Sequence, residues 1–207
     1  MFCLKEMKII YIFQIIANSL IFLKAVFRLF QQALFMSDYL AFPREGDETI
    51  IENFFTMLSN TNSEYESLLQ RAIAIAAKAH DGQVDKAGNP YLDHPLAVME
   101  NVNSLDQKIV AVLHDAVEDS ELTLELLRSE GFPEVLVSAI EAITKIEGEA
   151  YATYLERVIA NPIALPVKIA DVTHNLDLRR IAHPTEADFQ RIAKYKKVLS
   201  QLRAALK

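Results

Sequence analysis

The chain has 207 residues, enough for one domain of ordinary size with a real core, and 51% of them are hydrophobic. Its formal net charge of −7 excludes a nucleic-acid polymer as the expected partner, because no basic stripe exists to displace counterions. The single cysteine, Cys3, excludes an intrachain disulfide and points to a reducing, cytoplasmic setting.

Residues 1–36 are apolar from Ile9 to Leu23, but Gln14, Asn18 and Ser19 interrupt the run, and Lys24 and Arg28 break its continuation. The stretch falls short of the roughly 20 clean apolar residues a membrane span needs. Lys5 and Lys8 could still flank a signal anchor, and no small-residue cleavage signature follows. Three readings therefore stand: an artefactual or disordered extension, a membrane anchor, or a partner-binding helix. Met36-Ser37-Asp38 would serve as an alternative start. The segment holds four bases and one acid, so the rest of the chain is more acidic still. Residues 37–63 read as a lead-in, and 64–207 as the domain that carries the chemistry.

From there the chain reads as helices. Leu68, Leu69, Ala72, Ile73 and Ala76 make one stripe and predict a helix over about 64–80. A loop, 81–91, carries Lys86 and two glycines. His94 stands directly before Pro95, at the N-cap or first turn of a new helix. Ser104 and Gln107 form a capping-box pattern, and Ile109, Val110, Val112 and Leu113 follow as a core-facing stripe. If that helix continues through His114-Asp115-Ala116-Val117-Glu118-Asp119, His114 and Glu118 stack in one column and Asp115 and Asp119 in the next. Val135, Leu136, Ala139, Ile140 and Ile143 predict another helix, started by Pro133. Tyr151 to Ile159 predicts a further one, ended by Asn161-Pro162. The last starts near Thr185 and shows Phe189, Ile192, Tyr195, Leu199 and Leu202 at helical spacing. No sustained alternation or hairpin dipeptide argues for a sheet, so the expected fold class is all-α.

Four ionisable groups in six residues repel one another unless a cation sits among them. Imidazole with carboxylate suits a divalent manganese, iron or zinc ion. Each residue alone has an ordinary reading. Acids at a helix end commonly form a solvated face, although negative charge at a helix C-terminus is disfavoured. A lone histidine such as His94 is commonly a structural hydrogen-bonder, and Asp171 alone could cap or pair. Together, His94, His114, Asp115 and Asp171 lie on three helical segments and offer four ligands, with positions left for water. His174 and Asn175 share the face of Asp171. His80 reads as structural, His174 as a supporting hydrogen-bonder and His183 as solvent-exposed.

The segments AAKAHDGQVDKAGNPYLDHPLAV (76–98), AVLHDAVEDSELT (111–123), AITK (142–145) and VKIADVTHNLDLRR (167–180) resemble the HD phosphohydrolase superfamily. More narrowly, they resemble the alarmone-hydrolase domain of the RelA/SpoT stringent-response family, over about residues 64–205. HD alone is a weak motif; the ordered set GQ…K.G.PY..HP, LHD.VED and VK.AD..HN is specific. The resemblance implies an HD-domain helical bundle with metal ligands His94, His114, Asp115 and Asp171, and manganese as the metal. It implies that Glu118 and Asp119 are the catalytic acidic pair, that Asn175 contacts substrate and that Lys86 is the loop lysine. The implied reaction is hydrolysis of guanosine tetra- or pentaphosphate at the 3′ position, giving pyrophosphate and GDP or GTP. Lys86, Lys145, Lys168, Arg157 and Arg179 could supply the local basic pocket that a small anionic nucleotide needs, though each is equally a surface charge. Tyr151, one turn from Tyr154, is either packing or a base-stacking platform.

Two departures mark this chain. Asp85 stands where the best-known members have arginine beside the loop lysine, and Asp177 and Leu178 stand where they have arginine and threonine. An HD phosphohydrolase for another nucleotide is therefore an alternative. A non-catalytic, metal-stabilised binding module is a third reading, against which the Glu118-Asp119 pair argues. Only a short linker and one amphipathic helix follow Asn175, so the expectation is a stand-alone hydrolase.

Overall fold

The computed structural model describes residues 47–181 and 184–206. The expectations for residues 1–36 and for His183 lie outside them. The described elements are α1 (Asp47–Ala79), α2 (Asp93–Glu100), α3 (Leu105–Leu113), α4 (Ala116–Asp119), α5 (Leu124–Ser129), α6 (Glu134–Ile143), α7 (Tyr151–Ala160), α8 (Ala164–Asn175), a 3₁₀ turn (Leu178–Arg180) and α9 (Glu186–Ala205). Among the described residues there is no strand, and an isolated bridge pairs Val84 with Pro90 across the 81–91 loop. The fold class is all-α, as expected. The chain divides into two units, Met1–Met57 and Leu58–Lys207, and the site lies within the second.

The centre of that second unit is α8, which packs against α2, α3, α6, α7 and α9. Being covered on several sides, it buries Ala164, Leu165, Val167, Ala170 and Val172, and also Lys168 and Asp171. Charged side chains almost never go inside unpaired, so this buried pair is the first structural sign of a site. α3 is likewise buried all round over Ile109–Leu113. Its start is the expected capping box, with the Gln107 amide donating to Ser104 Oγ at 3.2 Å. α1 contributes Leu68, Leu69, Ala72 and Ala76 to the same core, with Ile73 half-buried.

Three expectations are corrected. The apolar helix does not continue through HDAVED: α3 ends at Leu113, His114 and Asp115 form the break, and the one-turn α4 follows. The cause is local: His114 Nδ1 donates to the Ala111 carbonyl at 2.7 Å, taking the acceptor that a continued helix would offer to the Asp115 amide. The simple column geometry of His114 over Glu118 therefore does not apply. On α6, Val135 is 53% exposed and Val137 is buried in its place, because the buried face centres on Ile140. On α9, Phe189 is 50% exposed. The residue before it, Asp188, is buried instead and serves the Thr185 capping box, which turns Phe189 about 100° away.

Candidate metal centre

Each histidine in the cluster is aimed by a second contact on its other ring nitrogen. Because His114 Nδ1 carries the proton given to Ala111 O, Nε2 is left facing the cluster; it is buried and makes no hydrogen bond. His94, in the first turn of α2, meets His174 Nδ1 through its own Nδ1 at 2.7 Å, and the two rings stack at 5.0 Å. That contact likewise leaves His94 Nε2 facing inward. Histidine ligands are characteristically oriented this way, by a hydrogen bond on the opposite nitrogen.

The carboxylates meet these nitrogens. His94 Nε2 lies 3.4 Å from Asp115 Oδ2 and 3.2 Å from Asp171 Oδ1. His114 Nε2 lies 3.2 Å from Asp115 Oδ1 and 3.8 Å from Asp171 Oδ1. Ligands about 2.1 Å from one ion stand roughly 3–3.5 Å apart, so these separations suit a single divalent cation. His94, His114 and Asp171 are themselves buried and bring their ligand atoms within 4.8 Å of one another. An orphaned buried Nε2 between two carboxylates is what a ligand set without its ion presents. All four expected ligands are brought together.

The electrostatics agree. Burial alone would lower the His114 imidazole, but Asp115 and Asp171 outweigh it and push it up to about 10. Burial would raise the Asp171 carboxyl, yet Lys168 and the two imidazoles hold it well below the usual carboxylate range. Asp115 is held low in the same sense by His114 and His94, against its burial. A metal ion would compete with protons for these same lone pairs.

The acidic pair lies alongside. Glu118 accepts from Lys145 Nζ at 2.8 Å, and from the Lys145 amide at 3.3 Å. Asp119 has its carboxyl raised by burial and by the neighbouring charges of Asp115 and Glu118. Asn175 donates its amide to Asp171 Oδ1, so it braces a ligand. Tyr151 lies under Lys194, 4.3 Å from ring centroid to Nζ, and its ring is 5.7 Å from that of Tyr154.

Two expected substrate contacts are occupied elsewhere. Lys86 Nζ reaches Asp188 Oδ1 on α9 at 2.6 Å. Arg157 spends its guanidinium on both oxygens of Glu149 (each 2.8 Å) and on the carbonyls of Glu141 (2.7 Å) and Thr144 (2.9 Å). The substrate-binding expectation for Arg157 is thus corrected: it is a strut that closes the loop between α6 and α7. Asp85 is a loop residue too, its Oδ1 accepting the amides of Ala87 (2.8 Å) and Asn89 (3.0 Å).

Sequence reasoning missed several supports. Tyr91 donates its hydroxyl to Asp115 Oδ2 at 2.8 Å. Gln83 accepts from His80 Nδ1 at 2.8 Å and donates to the Asp119 carbonyl at 3.0 Å, tying the loop to α4. Lys168 Nζ lies 2.7 Å from Asp171 Oδ2, inside the core rather than on the surface. An i, i+3 Lys–Asp pair in the apolar run Val167–Val172 was a signal that could have found it.

Comparison with known proteins agrees with this geometry. The family model described as HD domain matches residues 72–202. A GTP pyrophosphokinase of Streptomyces coelicolor is 36% identical over 125 residues, covering 54% of this chain and 15% of that protein. A guanosine-3′,5′-bis(diphosphate) 3′-pyrophosphohydrolase of Aquifex aeolicus is 29% identical over 143 residues, covering 63% of this chain and 20% of that protein. The chain thus spans a fifth or less of the length of these relatives. A solved structure, described as a metazoan ortholog of SpoT that hydrolyzes ppGpp, superposes with a TM-score of 0.58 at 22% identity. That match covers 67% of this chain and 86% of the other, and shows the shared fold. With a family model spanning most of the second unit and the four side chains of the H…HD…D pattern gathered together, this chain belongs to the HD-domain family.

Proposed function

We propose that this chain is a metal-dependent phosphohydrolase acting on a small anionic nucleotide. The substrate best supported is guanosine tetra- or pentaphosphate, cleaved at the 3′ position to GDP or GTP and pyrophosphate. The observation that carries the reading is the convergence of His94, His114, Asp115 and Asp171, with both buried Nε2 atoms turned to carboxylate oxygens. The name of the Aquifex aeolicus relative supports the substrate.

His94, His114, Asp115 and Asp171 would hold the cation, and manganese is the ion proposed. When bound, a divalent ion polarises a phosphate oxygen and acidifies water. Asp119, whose carboxyl is raised, and Glu118 beside it would accept the proton of the attacking water. Water adds to phosphorus as the bond to the ribose 3′-oxygen breaks, and that oxygen leaves with a proton. Lys145, now paired with Glu118, can swing its charge to a phosphate oxygen as negative charge develops there. Lys86 would do the same only after leaving Asp188.

A second reading, hydrolysis of another nucleotide, is favoured by Asp85. Its carboxylate is committed to two loop amides, so this loop presents an acid where the resembling family presents a guanidinium. Phosphate and pyrophosphate release from a purified nucleotide panel, with manganese and with chelator, tests both. Pyrophosphate from guanosine tetraphosphate, abolished by chelator, is the expected result. Turnover of a different nucleotide alone would favour the second reading.

The proposed domain is 64–207, and the proposed setting is the cytoplasm. Among the described residues, no helix is long and apolar enough to cross a membrane.

A further inference from the structure

The two carboxylate ligands differ in how they face the centre. Asp115 turns both oxygens to it, Oδ1 at 3.2 Å from His114 Nε2 and Oδ2 at 3.4 Å from His94 Nε2. Asp171 turns only Oδ1 inward, while its Oδ2 lies 2.7 Å from Lys168 Nζ. Lys168 sits one turn earlier on α8, and its side chain is only 11% exposed. Its ammonium also lies 5.5 Å from the centroid of the Tyr154 ring, and that ring is anchored by a 2.8 Å hydrogen bond from Tyr154 Oη to the Ile143 carbonyl. The ammonium is therefore fixed between a carboxylate oxygen and an aromatic face.

A buried lysine is costly unless it is paired, so its place in the core needs a reason. Here it occupies the oxygen that would otherwise let Asp171 bind a cation through two atoms. It also cancels one of the two negative charges of the ligand set. We propose that Lys168 is a positioning residue that holds Asp171 as a one-oxygen ligand and weakens the centre's grip on its cation, so that positions stay open for water and a substrate oxygen. The inference rests on the reading of the four side chains as a metal centre.

The test is Mn²⁺ and Co²⁺ binding to the full chain by calorimetry, with the visible absorption of the Co²⁺ form, for wild type, Lys168→Met and Lys168→Arg. Lys168→Met releases Asp171 Oδ2 and removes a nearby positive charge. It is expected to bind Mn²⁺ about tenfold tighter or more and to alter the Co²⁺ spectrum. Lys168→Arg keeps the charge and is expected to match wild type in both. Unchanged or weaker Mn²⁺ binding by Lys168→Met, an unchanged Co²⁺ spectrum, or a Lys168→Arg protein that behaves like Lys168→Met overturns the proposal. Circular dichroism of the metal-free proteins checks folding. If Lys168→Met does not fold, Lys168→Gln, of similar length without the charge, is judged by the affinity criterion alone. A wild-type protein that binds neither ion overturns the metal-centre reading and this proposal with it, whereas binding that Lys168→Met leaves unchanged overturns this proposal only.

Discussion

Glu118 and Asp119 are neighbours with different company. Glu118 is held by Lys145, whereas Asp119 sits among other negative groups and has its carboxyl raised. Glu118→Gln and Asp119→Asn keep the shape of each side chain but cannot take a proton in the same way. Each variant should retain Mn²⁺ affinity and lose about 10²–10⁴ in turnover, the usual size of a general-base contribution. Unchanged turnover in both would return the pair to the role of a solvated face. Asp85 allows a finer test, because it both caps the loop and carries charge next to Lys86 in the chain. Asp85→Asn keeps an acceptor oxygen and removes the charge. If repulsion of about 1 kcal/mol acts on a polyanionic substrate, its KM should fall about fivefold. Asp85→Ala loses the cap as well, and its KM should rise.

These residues also mark how far the sequence could be read. His94, His114, Asp115 and Asp171 were legible as candidates because imidazole and carboxylate are fixed donor types and stand in the order of the H…HD…D pattern. Arg157 and Lys86 were not. An arginine or lysine code does not tell what the end of a long flexible side chain meets, and Lys86 finds its partner 102 residues away. Lys168 was read as either a base of the substrate pocket or a surface charge, as lysine normally is; only the packing of α8 among five neighbours puts it inside.

At the scale of elements, the helix positions were legible from apolar periodicity, and the caps from Ser104 and Thr185 or their neighbours. The break between α3 and α4 was not, since it depends on a side chain competing for a backbone carbonyl. Glu118, on α4, meets Lys145 just beyond the end of α6. The Arg157 strut keeps Lys145 in place by closing the segment between α6 and α7. Arg157→Ala leaves the Glu141 and Thr144 carbonyls without that donor. The melting temperature should drop by a few degrees, on the order expected when these two bonds and the two to Glu149 are lost from a half-buried site. KM should rise more than kcat falls, because the metal ligands lie on other elements. A kcat loss as large as that of Glu118→Gln would instead place Arg157 in the chemistry.

For the molecule as a whole, every residue given a chemical role lies beyond residue 79, and among the described residues the buried core starts at Leu68. A chain started at Met36 is therefore expected to fold and to keep its turnover, as measured by circular dichroism and product release. Loss of folding on that truncation would show that the earlier residues complete the core. The acidic balance, −7 overall, argues that substrate attraction is local to the Lys145 region rather than a property of the surface field.

The burial of Asp171 on α8 has a thermodynamic consequence. α8 touches five other helices, so its amides should open to solvent only when the whole cooperative unit opens. Fraying of an edge would not displace this side chain, so the proposed ligand set comes apart only when α8 opens with the rest of the unit. Manganese at a hundredfold excess over its Kd should then add about 2.7 kcal/mol to the unfolding free energy. Hydrogen exchange across residues 164–175 should slow by the same increment as in the most protected amides of α3. Exchange in α8 that ignores the ion would mean that the ligand set can come apart while the rest of the fold stays closed.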